Sequence, residues 1–566
     1  MQLAVKTGLF ESDIASDRRD LSQDAERALG RVVSCDGSRA TIASTVAGLG
    51  RLCAESWTVG RMISINLGAT RIVGLVYEMH AVNPVWDEAS DNVIHVQVEL
   101  LGEVAESDTG RSSFQSGIST YPPIGAIAHR IRTGDLAMVH DLGRRNGVAI
   151  GTLTQDASIP ATICIDDMLS RHFALLGTTG VGKSSAVALL LRKAIAARPR
   201  LRVLILDPHN EYSAAFPDRS LSIDAEGLDL PFWMFKLEEF AEVVFRGRAA
   251  FEEEADILRE VAAAARERYR GGTQRNPMRD VNSSLLKRPL DAGSVRRDDG
   301  TGSASDMPTP YRITDALAII DELIGLHEAR WPRGALRSLR VRLETLHGDP
   351  RYQFMFARAN MMETMAPVLA QIFRVPHHGR PITVFQLGGL PSEVVDAVAS
   401  VLARLAFDLA MASQGTYEIL LLCEEVHRYV PADLSRGFLP TRQAIARIAK
   451  EGRKYGAYLG VVTQRPGELD PTILSQCSTI FAMRLANEVD QQIIRAAISD
   501  ASASTLKFLS SVGNREAIAF GEGVATTMRM RFAELAPHEL PAMEIVAGGD
   551  GRREPGIDEM VRRMRG

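Results

Sequence analysis

Cysteine is sparse and scattered. The five residues, Cys35, Cys53, Cys164, Cys423 and Cys477, form no CxxC pair and have no flanking histidine cluster, so neither a zinc site nor a disulfide framework is indicated. They read as small core residues in a reducing compartment. Long apolar runs are missing too. None reaches the roughly 18 residues that suggest a bilayer span, and the stretch MQLAVKTGLFESDIASDRRD has no signal-peptide core. A cytoplasmic chain with no membrane part is expected. Nor is basic charge in excess: 65 Lys and Arg stand against 70 Asp and Glu, a formal net charge of −5. That balance argues against a protein that coats nucleic acid with its whole surface. Any such contact must be local, for example in loops lining a pore.

What is present has the balance of a soluble globular protein, 45% hydrophobic and 24% charged over 566 residues. That length calls for two or three domains. From about Arg31 to Gly151, short β-branched alternations such as RMISINLG, RIVGLVYEM and NVIHVQVELLG are separated by Gly, Asn and Asp. This spacing predicts a small β-barrel or sandwich over residues 1–155. From Ile163 onward, apolar runs alternate with helical segments, the signature of a parallel sheet covered by helices. The α/β core is expected in two parts, residues 156–235 and 381–536. Between them lies a helical block, residues 236–380, which includes FEEEADILREVAAAARERY, ITDALAIIDELIGLHEAR and GALRSLRVRLETL. Inside it, residues 271–310 are poor in large apolar side chains and rich in Gly, Ser, Asp and Arg, so a flexible loop is expected. The tail, 537–566, is expected to be a helix or arm outside the core.

The strongest local signal is GTTGVGKS, a full G-x-x-x-x-G-K-[ST] match spanning Gly177, Thr178, Thr179, Gly180, Val181, Gly182, Lys183 and Ser184. The apolar run HFALL precedes it, and SAVALLLRKAIAA, beginning at Ser185, follows with helical composition. Glycines let backbone N–H groups turn toward a phosphate, and the helix N-terminus adds its positive dipole end. Lys183 would neutralise the β- and γ-phosphates of ATP, and the Ser184 hydroxyl would ligate Mg²⁺. The bland reading is an ordinary Gly-rich strand-to-helix turn.

In EILLLCEEVHRYVP, Glu424 and Glu425 stand at the end of a predicted buried strand, where two acids are costly without something positive beside them. One fits the Mg²⁺ shell, assigned to Glu424, and the other the attacking water, assigned to Glu425. LRVLILDPHNEY places Asp207 at a strand end, near the metal or its waters, although Asp-Pro is also a turn former. His209 and His427 show no third ligand in sequence and read as structural or supporting. GAYLGVVTQRP carries Thr463 and Gln464 at another strand end, where a glutamine can sense the γ-phosphate. Arg453, beside Lys454 after the basic helix RQAIARIAKEGRKYG, has two open readings: it complements that helix's C-terminus, or it reaches a neighbouring subunit's phosphoryl group.

Taken in order, GTTGVGKS, LDPHNEY, LLLCEEVHRYVP, EGRKYG and VTQRP resemble the HerA branch of the FtsK/HerA superfamily, and RMISINLGATRIVGLVYEM, VELLGE and SGISTYPPIG resemble that family's N-terminal barrel. The resemblance implies an α/β RecA-like P-loop core with an N-terminal β-barrel and an inserted helical block. It further implies an ATP-hydrolysing homohexamer that encircles double-stranded DNA. Lys183 and Ser184 would bind nucleotide and Mg²⁺, Glu425 would activate water, Gln464 would sense the γ-phosphate and Arg453 would act in trans. HerA-like proteins commonly work with a separate nuclease such as NurA, and bacterial relatives form antiphage complexes with an effector subunit. The polar loop is a departure that could change partner contacts. Two other readings keep the same ATP site: a scaffold that regulates a toxic partner without processive movement, and a secretion or conjugation ATPase. Arg333, Arg337, Arg340 and Arg342 could touch DNA or form a solvated helix face.

Overall fold

Alternation of apolar and polar residues closes a barrel in the N-terminal region. In the computed structural model its strands are β1 (Ala28–Cys35), β2 (Arg39–Ala47), β3 (Met62–Asn66), β4 (Thr70–Ala81), β5 (Asp91–Glu106), β6 (Ser112–Ser116) and β7 (Ile127–Arg130). Their order is β2-β1-β7-β3-β4-β5, β5 pairs back to β2 from Arg39↔Glu99 to Ala47↔Asp91, and β6 adds to β5 outside the ring. Ile63 and Ile65 of β3, Ile72 and Val76 of β4, and Val96 and Val98 of β5 fill the interior. The period-two pattern points these side chains inward and leaves Gln97 and Glu99 between them facing out. At Gly74 a Cβ would lie 2.3 Å from Val98 Cγ1, so only glycine allows β4 and β5 to approach at that bulge.

The structure describes residues 27–47, 57–68, 70–106, 112–224, 227–245, 252–273, 308–326, 330–356, 365–497 and 505–541. Most of the stretch expected to be a flexible loop, residues 274–307, and the tail from residue 542 lie outside them, as does Cys53. The chain divides into two units: Met1–Ala197 with Val461–Glu534, and Arg198–Gly460 with Leu535–Gly566.

In the first unit, besides the barrel, β10 (Phe173–Leu176) pairs in parallel with β16 (Thr479–Ala482). An antiparallel run follows through β17 (Glu516–Gly521), β18 (Met528–Phe532), β8 (Gly147–Leu153) and β9 (Pro160–Cys164). The expected boundary at residue 155 falls between β8 and β9, which both belong to this sheet. Just after β8, the Gln155 amide accepts from the Met62 N–H (2.8 Å) and donates to the Met62 carbonyl (3.1 Å). Helix α1 (Thr133–Val139) is tied to β4 by a bidentate Arg71–Asp135 pair at 2.8 and 2.9 Å. Helix α2 (Lys183–Ala197) follows β10.

The second unit holds the parallel strands β12 (Ser220–Ile223), β13 (Ile382–Gln386), β11 (Leu201–Asp207) and β14 (Glu418–Cys423), with β15 (Ala457–Thr463) next in order. The chain passes from this unit to the first inside β15. Every residue of β11 is buried, as expected for a strand covered on both faces. Between the hydrogen-bonded neighbours β12 and β13 run the helices of the inserted block, among them α3 (Leu237–Phe245), α4 (Glu252–Thr273), α5 (Ile313–Gly325) and α6 (Arg333–Gly348). The α/β class, the barrel and the helical insertion are as the sequence implied. Helices α7 (Ser392–Ala412) and α8 (Leu439–Glu451) follow β13 and precede β15, respectively. Among the described cysteines, Cys164, Cys423 and Cys477 are buried while Cys35 is half-buried, and burial pushes the Cys477 thiol up to about 12.

Two buried charges of the second unit carry measurable consequences. Arg404 of α7 meets Glu239 of α3 with Nε–Oε1 at 2.8 Å and Nη2–Oε2 at 3.0 Å, and also donates to the Met234 carbonyl. Glu239→Ala leaves that buried guanidinium with only the partly exposed Asp408 carboxylate at 3.4 Å and is expected to cost about 3 kcal/mol in chemical denaturation. Asp396 of α7 has its carboxyl raised by burial, against the pull of Arg428, from 3.8 to about 6. Its contribution to stability is complete below the ordinary carboxylate range and is lost as pH rises through about 6. Asp396→Asn is therefore expected to stabilise the protein by up to about 2 kcal/mol above pH 7, with the gain shrinking toward pH 4, as read from denaturation midpoints across that range.

Candidate functional site

The first unit supplies a phosphate cradle. Gly180 (φ 78°) and Gly182 (φ 100°) take left-handed conformations that turn the loop between β10 and α2. At Gly177 an added Cβ would come within 2.8 Å of Met483 Cβ, so this residue fits only without a side chain. The loop is braced from the neighbouring strand ends. Thr178 donates its N–H (3.0 Å) and its hydroxyl (3.2 Å) to the Arg484 carbonyl, Gly177 N–H reaches the Thr463 carbonyl at 3.3 Å, and the Thr179 hydroxyl donates to Gln464 Oε1. Val181 is fully buried, and its carbonyl accepts the Arg515 N–H at 2.9 Å. Lys183 is 8% exposed, and its ammonium donates to the Thr178 carbonyl at 3.2 Å. A largely buried cation beside the N-terminus of a fifteen-residue helix makes a site for a polyanion.

The second unit supplies the acids. Asp207 is fully buried at the end of β11, and its two carboxylate oxygens accept the backbone N–H groups of His209 (3.2 Å) and Tyr212 (2.9 Å). Burial raises its pKa, and those N–H groups work against the rise. Glu424 and Glu425, each 4% exposed, follow β14 directly. The phenol of the fully buried Tyr212 donates to Glu424 Oε2 at 2.7 Å, and burial together with that carboxylate holds the phenol well above its ordinary pKa, so it stays a donor. Glu425 sits in the left-handed region (φ 50°, ψ 48°), at a backbone cost of order 1 kcal/mol. His427 Nδ1 lies 3.2 Å from Glu425 Oε2. His209 joins the two glutamates: one potential ligand atom from each lies within 4.8 Å of the others. Buried carboxylates with an imidazole beside them are a donor set that fits a divalent cation.

Every residue singled out at a strand end is therefore found at one. Thr463 closes β15 fully buried, with Gln464 next to it against the loop. Arg453 lies in a single turn, Gly452–Tyr455, after α8, with its side chain exposed. The arginines of α6 are engaged locally in part: Arg340 pairs with Asp321 (2.6 Å) and Glu344 (2.8 Å), and Arg342 lies over the Phe245 ring. Sequence reasoning missed Tyr212, Arg484 and Arg515. Only Tyr212, five residues beyond Asp207 in the same motif, had a signal that could have found it.

The profile described as "Helicase HerA, central domain" matches residues 148–406. Two relatives extend the likeness. The DNA double-strand break repair helicase HerA of Pyrococcus furiosus is 24% identical over 67% of this chain and 68% of its own length. A probable helicase of Methanocaldococcus jannaschii is 23% identical over 83% of this chain and 85% of its own. Over its central region, residues 148–406, this chain resembles the HerA helicases. That likeness, together with the complete phosphate loop Gly177–Ser184, makes it a P-loop ATPase. Among solved structures, VirB4 of Thermoanaerobacter pseudethanolicus aligns over 71% of this chain and 99% of its own, with 17% identity and a TM-score of 0.47. No helix among the described residues is long and apolar enough to cross a membrane.

The cradle's dependence on backbone conformation is testable. At Gly182 the left-handed φ and an Arg515 Cγ only 3.1 Å from an added Cβ both oppose a side chain. Gly182→Ala is expected to cost about 1–2 kcal/mol at that position and to weaken binding of a fluorescent ATP analogue at least about tenfold, with the circular dichroism spectrum of the fold retained.

Proposed function

We propose that the chain is an ATP-driven DNA motor of HerA type, a homohexamer that translocates on double-stranded DNA in the cytoplasm and serves a separate nuclease, NurA-like, or an antiphage effector subunit. The observation that carries the reading is a preformed phosphate loop holding a buried Lys183, in a chain that resembles the HerA helicases and that also carries two buried acids at the end of β14. The likeness to the DNA double-strand break repair helicase of Pyrococcus furiosus supports the DNA substrate.

On this reading the loop Gly177–Ser184, with Ser185 at the start of α2, holds the triphosphate through backbone N–H groups, and Lys183 neutralises its β- and γ-phosphates. Ser184 and Glu424 would hold Mg²⁺, with Asp207 toward its waters, and the ion would supply charge neutralisation of the phosphates. Glu425 orients the attacking water and accepts its proton. Gln464, already bonded to the loop through Thr179, reports whether the γ-phosphate is present. Arg453, exposed on its turn, would serve an adjacent subunit's nucleotide.

Purified chain is expected to assemble near six subunits by mass photometry and to hydrolyse ATP severalfold faster with duplex DNA. Lys183→Ala should lower turnover by roughly 10²–10³-fold. Mixing Lys183→Ala with Arg453→Ala subunits should restore part of the activity, because each would contribute what the other lacks to a shared site. A stable monomer whose turnover ignores DNA would overturn the motor. A hexamer whose turnover ignores DNA but responds to a bound effector would instead favour the scaffold.

A further inference from the structure

We propose that His209 is a direct metal ligand together with Glu424 and Glu425, making a mixed nitrogen–oxygen site that prefers Mn²⁺ to Mg²⁺. The inference deepens the proposed nucleotide reading, on which it rests for Glu424 as a metal ligand; it adds His209 and, in the nucleotide-free protein, places Glu425 on the ion rather than on the attacking water.

Three observations converge on it. One potential ligand atom from each residue lies within 4.8 Å of the other two, close to the roughly 4 Å between opposite ligands of a small divalent cation. The segment that presents His209 is fastened on both sides: Asp207 accepts the N–H groups of His209 and Tyr212, and Tyr212 in turn donates its phenol to Glu424. Asn210 at φ 56° makes the reversal, and its Oδ1 accepts the Gly388 N–H at 3.1 Å. The imidazole thus extends from a turn that is itself bonded to one of the acids. Finally, the two carboxylates are adjacent in sequence and each 4% exposed, and carboxylate oxygens are ordinary donors to a divalent cation.

Ligand chemistry then selects the ion. Mg²⁺ takes oxygen ligands and keeps its waters, whereas an imidazole nitrogen binds the first-row transition ions more strongly. His427, with Nδ1 at 3.2 Å from Glu425 Oε2, acts as a positioning residue that orients the carboxylate.

The test uses full-length protein without nucleotide, titrated with MnCl₂ while the electron paramagnetic resonance signal of free Mn²⁺ is followed. One site per chain is expected, with Mg²⁺ competing at least about tenfold more weakly. Electron spin echo modulation should show ¹⁴N coupling that persists in His427→Ala. His209→Ala, at an exposed position, should lower Mn²⁺ affinity about tenfold or more and abolish that coupling. Equal Mn²⁺ affinity in wild type and His209→Ala, or ¹⁴N coupling absent from wild type, would overturn the proposal. Lys183→Ala separates the two readings, because it should lose ATP turnover and keep the coupled Mn²⁺. A wild-type chain that binds Mn²⁺ with ¹⁴N coupling but never binds ATP sinks the nucleotide reading and leaves the cation site standing.

Discussion

A carboxylate taken out of water must be given something in exchange, and three of them, Asp207, Glu424 and Glu425, are less than 5% exposed at the ends of β11 and β14. The exchange differs at each. Asp207 receives backbone N–H groups from its own turn, Glu424 a phenol that burial keeps protonated, and Glu425 a histidine two residues on, at the expense of a left-handed backbone. Holding these groups in place costs free energy that a bound charge of opposite sign would offset.

The phosphate loop answers the complementary problem. Its glycines give up side chains so that backbone donors converge, and Lys183 is folded under the loop against the Thr178 carbonyl. Bracing comes from the ends of other strands, through Thr463, Gln464 and Arg484. Such contacts limit how far the loop can relax, which is what preorganisation for an anion demands.

Much of this was legible in the sequence because it is local. The P-loop flanks, the apolar runs of β11, β14 and β15, and the periodic helices of the inserted block declare themselves within short windows. What escaped depends on pairs far apart in the chain. His209 and Glu424 are separated by more than two hundred positions, so no spacing rule joins them, and the histidine looked unaccompanied. Arg484 and Arg515 brace the loop with main-chain groups, a role to which the side chain gives no clue. Strands β8 and β9 alternate just as barrel strands do, yet they extend the sheet that begins with β10. Pairing partners are chosen by tertiary contact, and alternation alone is blind to them.

Gln155 shows how little chain is needed to link two sheets. Its carboxamide offers an acceptor and a donor to the two backbone groups of Met62 and so imitates one rung of a ladder with no strand present. The start of β3 is thereby indexed to the linker after β8 through one side chain.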